Sequence, residues 1–264
     1  MLNAREDQLR EILESFPNVL VAYSGGVDSA CLLLAAQRWL GERALGVIAD
    51  SPSLPRAELA DALALARGIG ARVEVVCTTE FENPDYLANP PNRCYFCKHS
   101  LFEQMEKLAR ERNFSTLAYG ENADDPAGSR PGSKAAAEFQ VRAPLKEAGF
   151  SKAEVRALAA RWGLAVADKP ASPCLSSRIP HGTVVTTGAL TQIETGEASI
   201  RALGFRVFRL RHHGARARIE FAPDEMPRVL GGPIRERVIE AALAAGYREV
   251  EIDPRGYGAV EARV

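Results

Sequence analysis

The sequence predicts an α/β protein: a doubly wound, mostly parallel sheet followed by a smaller C-terminal α+β domain. Short apolar strand-like runs alternate with amphipathic helical runs over about the first 165 residues. Parallel neighbours cannot be joined by a tight turn, so each intervening helix becomes a crossover. From about Ala171 the pattern changes to a turn-rich stretch and then short alternating strands, which places domains over 1–170 and 171–264. No run approaches the ~18 consecutive apolar residues of a membrane helix.

Element by element, Leu9, Ile12 and Leu13 line one side of a charged first helix, and Asn18–Tyr23 reads as a buried strand ending at Ser24-Gly25-Gly26. A helix over Ala30–Leu40, a strand over Ala44–Ala49, a helix opened by Pro55 and ending near Gly68, and a strand over Arg72–Val76 follow. Then come a helix from about Cys97 to Arg112, a strand over Thr116–Tyr119, a mobile loop over Asp124–Lys134 and an amphipathic helix over Ser151–Trp162. The second domain reads as a linker to Gly182, a helix near Gly188–Leu203, strands Arg206–Arg211 and Ala215–Phe221 around His212-His213-Gly214, a helix over Ile234–Ala245 and a strand over Glu249–Ile252.

Lys and Arg number 33 against 34 Asp and Glu, for a net charge of −1. That balance excludes a protein that coats nucleic acid or membrane by bulk electrostatics, so a small partner is expected. The five cysteines are an odd number and do not make a secreted disulfide framework. The charged start, MLNAREDQLREILESF, lacks the apolar run of a signal peptide and predicts a cytoplasmic chain.

The sharpest signal is Ser24-Gly25-Gly26-Val27-Asp28-Ser29, between a buried strand and a helix start. Glycines let backbone approach a phosphate, the hydroxyls of Ser24 and Ser29 can donate to its oxygens, and unpaired N–H groups at a helix N-terminus attract anions. Neither the Walker A spacing nor the dinucleotide fingerprint is present. Asp28 beside a polyphosphate would be repelled without an intervening divalent cation, which predicts Mg²⁺ on pyrophosphate. The plain alternative is a glycine-rich turn capped by Asp28.

Cys94-Tyr95-Phe96-Cys97 stands at a helix start, and Cys174 lies in Pro173-Cys174-Leu175-Ser176-Ser177-Arg178. Three thiolates can hold a 4Fe–4S cluster with one iron open to another ligand. A redox pair in the CxxC, a Cys₃His zinc set completed by His99, or isolated packing thiols are the alternatives. Cys31 and Cys77, in apolar runs, read as buried packing residues.

In Val207–Arg211 and Arg216–Glu220 arginines alternate with apolar residues, so each set lies on one face. A four-residue loop over His212–Ala215 would pair Arg211 with Arg216 and Arg209 with Arg218, stacking like charges that something must answer. A nucleotide phosphate would do so through guanidinium forks; relief by Glu220 and Glu251 is the alternative.

The SGGVDS loop after a first strand resembles the PP-loop of the ATP pyrophosphatases, which cleave ATP between the α- and β-phosphates. That resemblance implies that Asp50 and Ser51 meet the adenosine, that Gly120 and Asn122 of Gly120–Asp125 lie near the nucleotide, and that Arg142-Ala143-Pro144-Leu145 with Lys152, Glu154 and Val155 follows the active-site loop. SGGVDS together with CYFCK, GENADD, KPASPCLSSRIPHG and the closing Asp253-Pro254-Arg255-Gly256-Tyr257 resembles the LarE family of ATP-dependent sulfur transferases over nearly the whole chain.

The LarE resemblance implies adenylation of a carboxylate of pyridinium-3,5-biscarboxylic acid mononucleotide, release of pyrophosphate and conversion to the thiocarboxylate, a step toward a nickel-pincer nucleotide. Cys94, Cys97 and Cys174 match members thought to use a 4Fe–4S cluster reloaded from a sulfide or sulfur-donor source; others lose the sulfur of a single cysteine, here Cys174. Ser177 and Arg178, which travel with the sulfur site, are then expected to bind substrate, Arg209 and Arg211 answer the substrate phosphate, and a homo-oligomer is implied. A tRNA thiolase with a PP-loop and iron–sulfur cluster, a nucleotide-regulated metal scaffold and an amide-forming ligase are the competing functions, the first opposed by the net charge of −1.

Overall fold

Strand and helix alternate from the N-terminus through α1 (Leu2–Glu14), β1 (Val19–Ala22), α2 (Val27–Leu40), β2 (Ala44–Asp50), α3 (Arg56–Gly68) and β3 (Val73–Cys77). They continue through α4 (Pro84–Leu87), α5 (Arg93–Arg112), β4 (Leu117–Tyr119), α6 (Pro131–Glu138), α7 (Pro144–Glu147) and α8 (Lys152–Arg161). These are elements of a computed structural model that describes residues 2–125, 131–170 and 172–257. The chain divides into two units, Met1–Tyr86 with Pro90–Ser172, and Leu87–Asn89 with Pro173–Val264.

In the first unit the strands pair in the order β3-β2-β1-β4, all parallel. Successive strand residues point to opposite faces, and both faces are apolar. Val19, Val21, Ala44 and Ile48 pack with Leu9 and Leu13 of α1, the apolar side of α2, and Val155 and Leu158 of α8. Leu20, Val47 and Tyr119 pack with Phe102, Met105 and Leu108 of α5 and Ala135 and Ala136 of α6. Each fully buried Leu or Phe contributes about 1.5–3 kcal/mol of transfer free energy, so helices are held on both faces and the sheet is doubly wound, as predicted. Strand order reverses between β1 and β4, and the crevice outside their carboxyl ends is where ligands bind in such sheets.

The second unit carries α9 (Thr187–Ala202), β5 (Phe208–His213), β6 (Arg216–Phe221), α10 (Met226–Leu230), α11 (Ile234–Ala244) and β7 (Glu249–Ile252). Its sheet runs β5-β6-β7, with β5 and β6 antiparallel and β7 parallel to β6.

Three local expectations are corrected. The hairpin loop is Gly214-Ala215 alone, because Gly214 takes φ +66° and permits a two-residue turn, so the strands run on to His213 and Arg216. Arg211 therefore faces Arg218, Arg209 faces Glu220, and His212 is a buried strand residue beside the Tyr247 hydroxyl at 3.0 Å rather than a loop residue. Cys77 is exposed, not buried, because β3 is the edge strand; Cys31 is fully buried as expected. Within the predicted loop Asp124–Lys134, residues 126–130 lie outside the described residues, and Pro131–Lys134 belong to α6.

Candidate functional site

The segment after β1 folds as a tight glycine turn, the cradle expected from the sequence, leading into α2. Gly25 adopts φ +72° and packs so tightly on α3 that a Cβ would come within 2.6 Å of the Ala62 Cβ, so only glycine fits. The Ser29 hydroxyl accepts from the Ser24 N–H at 3.1 Å and lies 3.1 Å from the Ser24 hydroxyl, tying the loop to the first turn of α2. Gly26, the N-cap of α2, makes no side-chain cap bond, and Ser24 and Gly26 are exposed, so the helix start is open to solvent.

The β4 loop presses against this cradle. A Cβ on Gly120 would lie 2.7 Å from the Ser29 backbone nitrogen and 2.9 Å from the Asp28 carbonyl carbon. The Asn122 amide donates to Asp28 at 3.4 Å, and Lys152 forms a close ion pair with the same carboxylate. Lys152 is placed by a capping box at the start of α8: Ser151 accepts from the Glu154 N–H, while the Glu154 carboxylate accepts from the Ser151 N–H at 2.9 Å.

Glu121, buried at the end of β4 within the GENADD segment, is a hub whose partners the sequence did not reveal. Its carboxylate accepts from the Tyr119 hydroxyl and from Ser133 at 2.8 Å, and pairs with Lys146 at 3.4 Å. These bonds hold it below the ordinary carboxylate range although burial opposes them. Lys98 joins the same rim, its ammonium 4.6 Å from the centre of the Tyr119 ring; burial lowers its pKa, while Glu121, Cys94, Asp125 and Cys97 raise it. Lys98 closes the CYFCK segment, which points to no role for it, and Lys146 lies outside the quoted motifs. Only their position around a strand end makes them a site.

Asp50 and Ser51 close the rim at the end of β2, where Arg56 donates to the Asp50 carboxylate at 2.6 Å and to the Ser51 carbonyl at 2.8 Å. Arg142 is not brought to this group. It pairs with Glu147 at 3.0 Å and lies over the Phe16 ring, which precedes β1 at the other end of the sheet. The backbone of Arg142 bridges to Ala118 of β4.

α5 begins four residues earlier than predicted, after a turn in which the Arg93 N–H donates to the Pro90 carbonyl and the Tyr95 N–H to Asn92. Cys94 and Cys97 thus occupy its first turn three residues apart, on one face, with Cys94 exposed and Cys97 half-buried. Cys174 belongs to the second unit, as the N-cap of a 3-10 turn over Leu175–Arg178. None of the five cysteines forms a disulfide, and among the described residues no three His, Cys, Asp or Glu side chains are grouped to hold a metal ion.

In the second unit Arg178 is 2% exposed and frames the Cys174 turn. Its guanidinium forks onto Glu197 at 2.9 and 3.0 Å and donates to the Pro173 and Cys174 carbonyls and the Ser177 hydroxyl. Glu197 also accepts from the Leu210 N–H, and Arg211 donates to the Ser177 carbonyl at 3.0 Å and to Glu220 at 2.9 Å. Arg209 lies over the Tyr257 ring at 4.7 Å; burial, with Arg178 nearby, lowers its pKa. Tyr257 is delivered by the turn Asp253–Gly256, where Gly256 at φ +76° meets the Phe221 carbonyl too closely for a side chain. The arginine face is thus answered partly by Glu220, Glu197 and Asp253, with Arg178 buried as scaffold while Arg209, Arg211 and Ser177 gather around the same turn.

Glycine turn, switch point and rim define an α/β protein of the PP-loop fold, with an open helix start at the carboxyl end of β1 beside β4. No family model matches the chain. It is 33% identical over 258 residues, 97% of this chain and 92% of the relative, to the pyridinium-3,5-bisthiocarboxylic acid mononucleotide synthase of Lactiplantibacillus plantarum. The chain therefore belongs to the family of that synthase, the LarE family. An uncharacterised Synechocystis protein is 39% identical over 257 residues, 97% of this chain and 96% of the relative, and an uncharacterised Methanocaldococcus jannaschii protein is 26% identical over 242 residues, 91% of each. Among the described residues no helix is long and apolar enough to cross a membrane.

Proposed function

We propose that this protein is an ATP-dependent sulfur transferase that converts a carboxylate of pyridinium-3,5-biscarboxylic acid mononucleotide to the thiocarboxylate. The carrying observation is the 33% identity, over an alignment that covers 97% of the chain, to a pyridinium-3,5-bisthiocarboxylic acid mononucleotide synthase. A carboxylate is a poor acceptor for sulfide because oxide is a poor leaving group. Attack of its oxygen on the α-phosphate of ATP releases pyrophosphate and leaves an acyl-adenylate, from which attack by sulfide expels AMP.

The residues present fit these roles. Ser24, Gly25, Gly26 and Ser29 offer hydroxyls and helix-start N–H groups to the leaving pyrophosphate. Asp28 is the residue that would hold Mg²⁺, and Lys152, now on Asp28, is placed to turn to phosphate oxygens. Asp50 and Ser51 would meet the adenosine, and Gly120 and Asn122, packed against Ser29 and Asp28, would lie near the nucleotide. Ser177, Arg209 and Arg211 serve the substrate phosphate, and Arg178 holds their turn.

By the family resemblance Cys94, Cys97 and Cys174 would be the thiols that hold a 4Fe–4S cluster; Cys94 and Cys97 share one helical face, and none of the three is buried. Such a cluster would supply sulfide-level sulfur to the acyl-adenylate, and an external sulfur donor is the partner this reading requires. The protein works in the cytoplasm as a homo-oligomer.

The test uses substrate whose carboxylates carry heavy oxygen. Adenylation transfers one labelled oxygen to AMP and releases pyrophosphate in step with thiocarboxylate. Unlabelled AMP, or ATP cleaved at the γ-phosphate, overturns the mechanism.

A further inference from the structure

Lys98 stands in an unusual position. Its methylenes lie along Gly132, where a Cβ would come within 2.5 Å of Cδ and 3.0 Å of Nζ, and its ammonium is half-buried over the Tyr119 ring. Lys146 and Lys152, on the same rim, are each paired with a carboxylate. Among the described residues Lys98 has no carboxylate within ion-pair reach and no hydrogen-bond acceptor. Glu121 is already occupied by Tyr119, Ser133 and Lys146. Glu121, Cys94, Asp125 and Cys97 act on it electrostatically, but the half-buried ammonium is left without a direct carboxylate partner.

Cys94 precedes Lys98 by one helical turn on the same face of α5, so the ammonium stands beside the thiol pair. The product in the relative's name carries two thiocarboxylates on one ring, in the 3 and 5 positions. An enzyme acting on both must present each carboxylate to the sulfur donor in turn, while the other rests a ring's width away.

We propose that Lys98 is a specificity-determining residue that holds the substrate carboxylate not undergoing activation and, in the second round, the thiocarboxylate already formed. This rests on the substrate class proposed above. Chemically the site is one cation for a carboxylate or thiocarboxylate, separate from the cations assigned to the nucleotide phosphates.

The experiment compares pyridinium-3,5-biscarboxylic acid mononucleotide with the mononucleotide bearing a single 3-carboxylate, on cluster-loaded wild type, Lys98→Met and Lys98→Arg. Wild type should show a KM lower for the dicarboxylate by about 10- to 100-fold, the value of one charge-assisted hydrogen bond. Lys98→Met should raise the KM for the dicarboxylate to that for the monocarboxylate, and Lys98→Arg should restore part of the difference. Equal losses on both substrates would mean that Lys98 meets a phosphate, and lost iron or visible absorbance would mean that it serves the cluster; an unchanged preference would mean that it meets neither. Each of these overturns the proposal while the proposed function stands. Failure of wild type to form thiocarboxylate from either substrate would overturn both.

Discussion

Gly120→Ala tests how the site is built. The added methyl would lie 2.7 Å from the Ser29 nitrogen, 2.9 Å from the Asp28 carbonyl carbon and 3.0 Å from the Ser29 Cα, all backbone atoms. Ordinary contact begins near 3.4 Å, so the β4 loop and the cradle must separate by about 0.7 Å. Overpacking of this kind costs about 1–3 kcal/mol, and Tm falls by about 2–4 °C per kcal/mol in a chain of this size. Loss of function should be larger, because a shift near 1 Å in a positioning loop can cost on the order of 100-fold. Thermal melts with and without ATP read both effects: the variant should melt a few degrees lower and lose most of the ATP-induced rise. Gly68→Ala, where nothing lies within 4 Å of the new methyl, should behave as wild type. A Gly120→Ala protein that binds ATP as tightly as wild type would refute the idea that contact between these loops sets the cradle.

Glu197→Gln leaves the buried Arg178 guanidinium without its carboxylate and should destabilise the second unit by about 3–5 kcal/mol in urea unfolding, while Cys174 alkylates faster as its turn loosens. Iodoacetamide on the native protein should label the exposed Cys77 and spare Cys31, whose thiol burial pushes up to about 12; peptide mass spectrometry reads the difference. Hydrogen bonds from Arg255 hold the Asp253 carboxyl at about 2. The stability it contributes is fully present above the unfolded carboxyl value near 3.8 and is lost as pH falls from there to about 2, so Asp253→Asn should flatten that part of the acid-unfolding curve.

The sheet and the cradle were legible because each rests on local signals: period-two apolar runs, glycines at a strand end and a helix start immediately after. Strand order was not, and Cys77 shows the consequence, since an apolar strand reads the same at an edge as in the middle. The hairpin register turned on one residue, Gly214, whose left-handed backbone shortened the loop and set Glu220 opposite Arg209. Arg178 looked like a substrate cation from its neighbourhood to Cys174 but is consumed by Glu197, nineteen residues away and invisible to motif reading. Lys98, Lys146 and Glu121 converge only through tertiary structure.

The most direct test is multiple turnover under anaerobic conditions with ATP, the pyridinium dicarboxylate nucleotide and a sulfide source, counting thiocarboxylate per chain and weighing the intact chain afterwards. Several thiocarboxylates per chain, with iron retained and the chain mass unchanged, is the predicted result. At most one per chain, with Cys174 lighter by the mass of hydrogen sulfide, would show that the protein gives up its own sulfur and would contradict the three-cysteine assignment. No thiocarboxylate at all would contradict sulfur transfer itself.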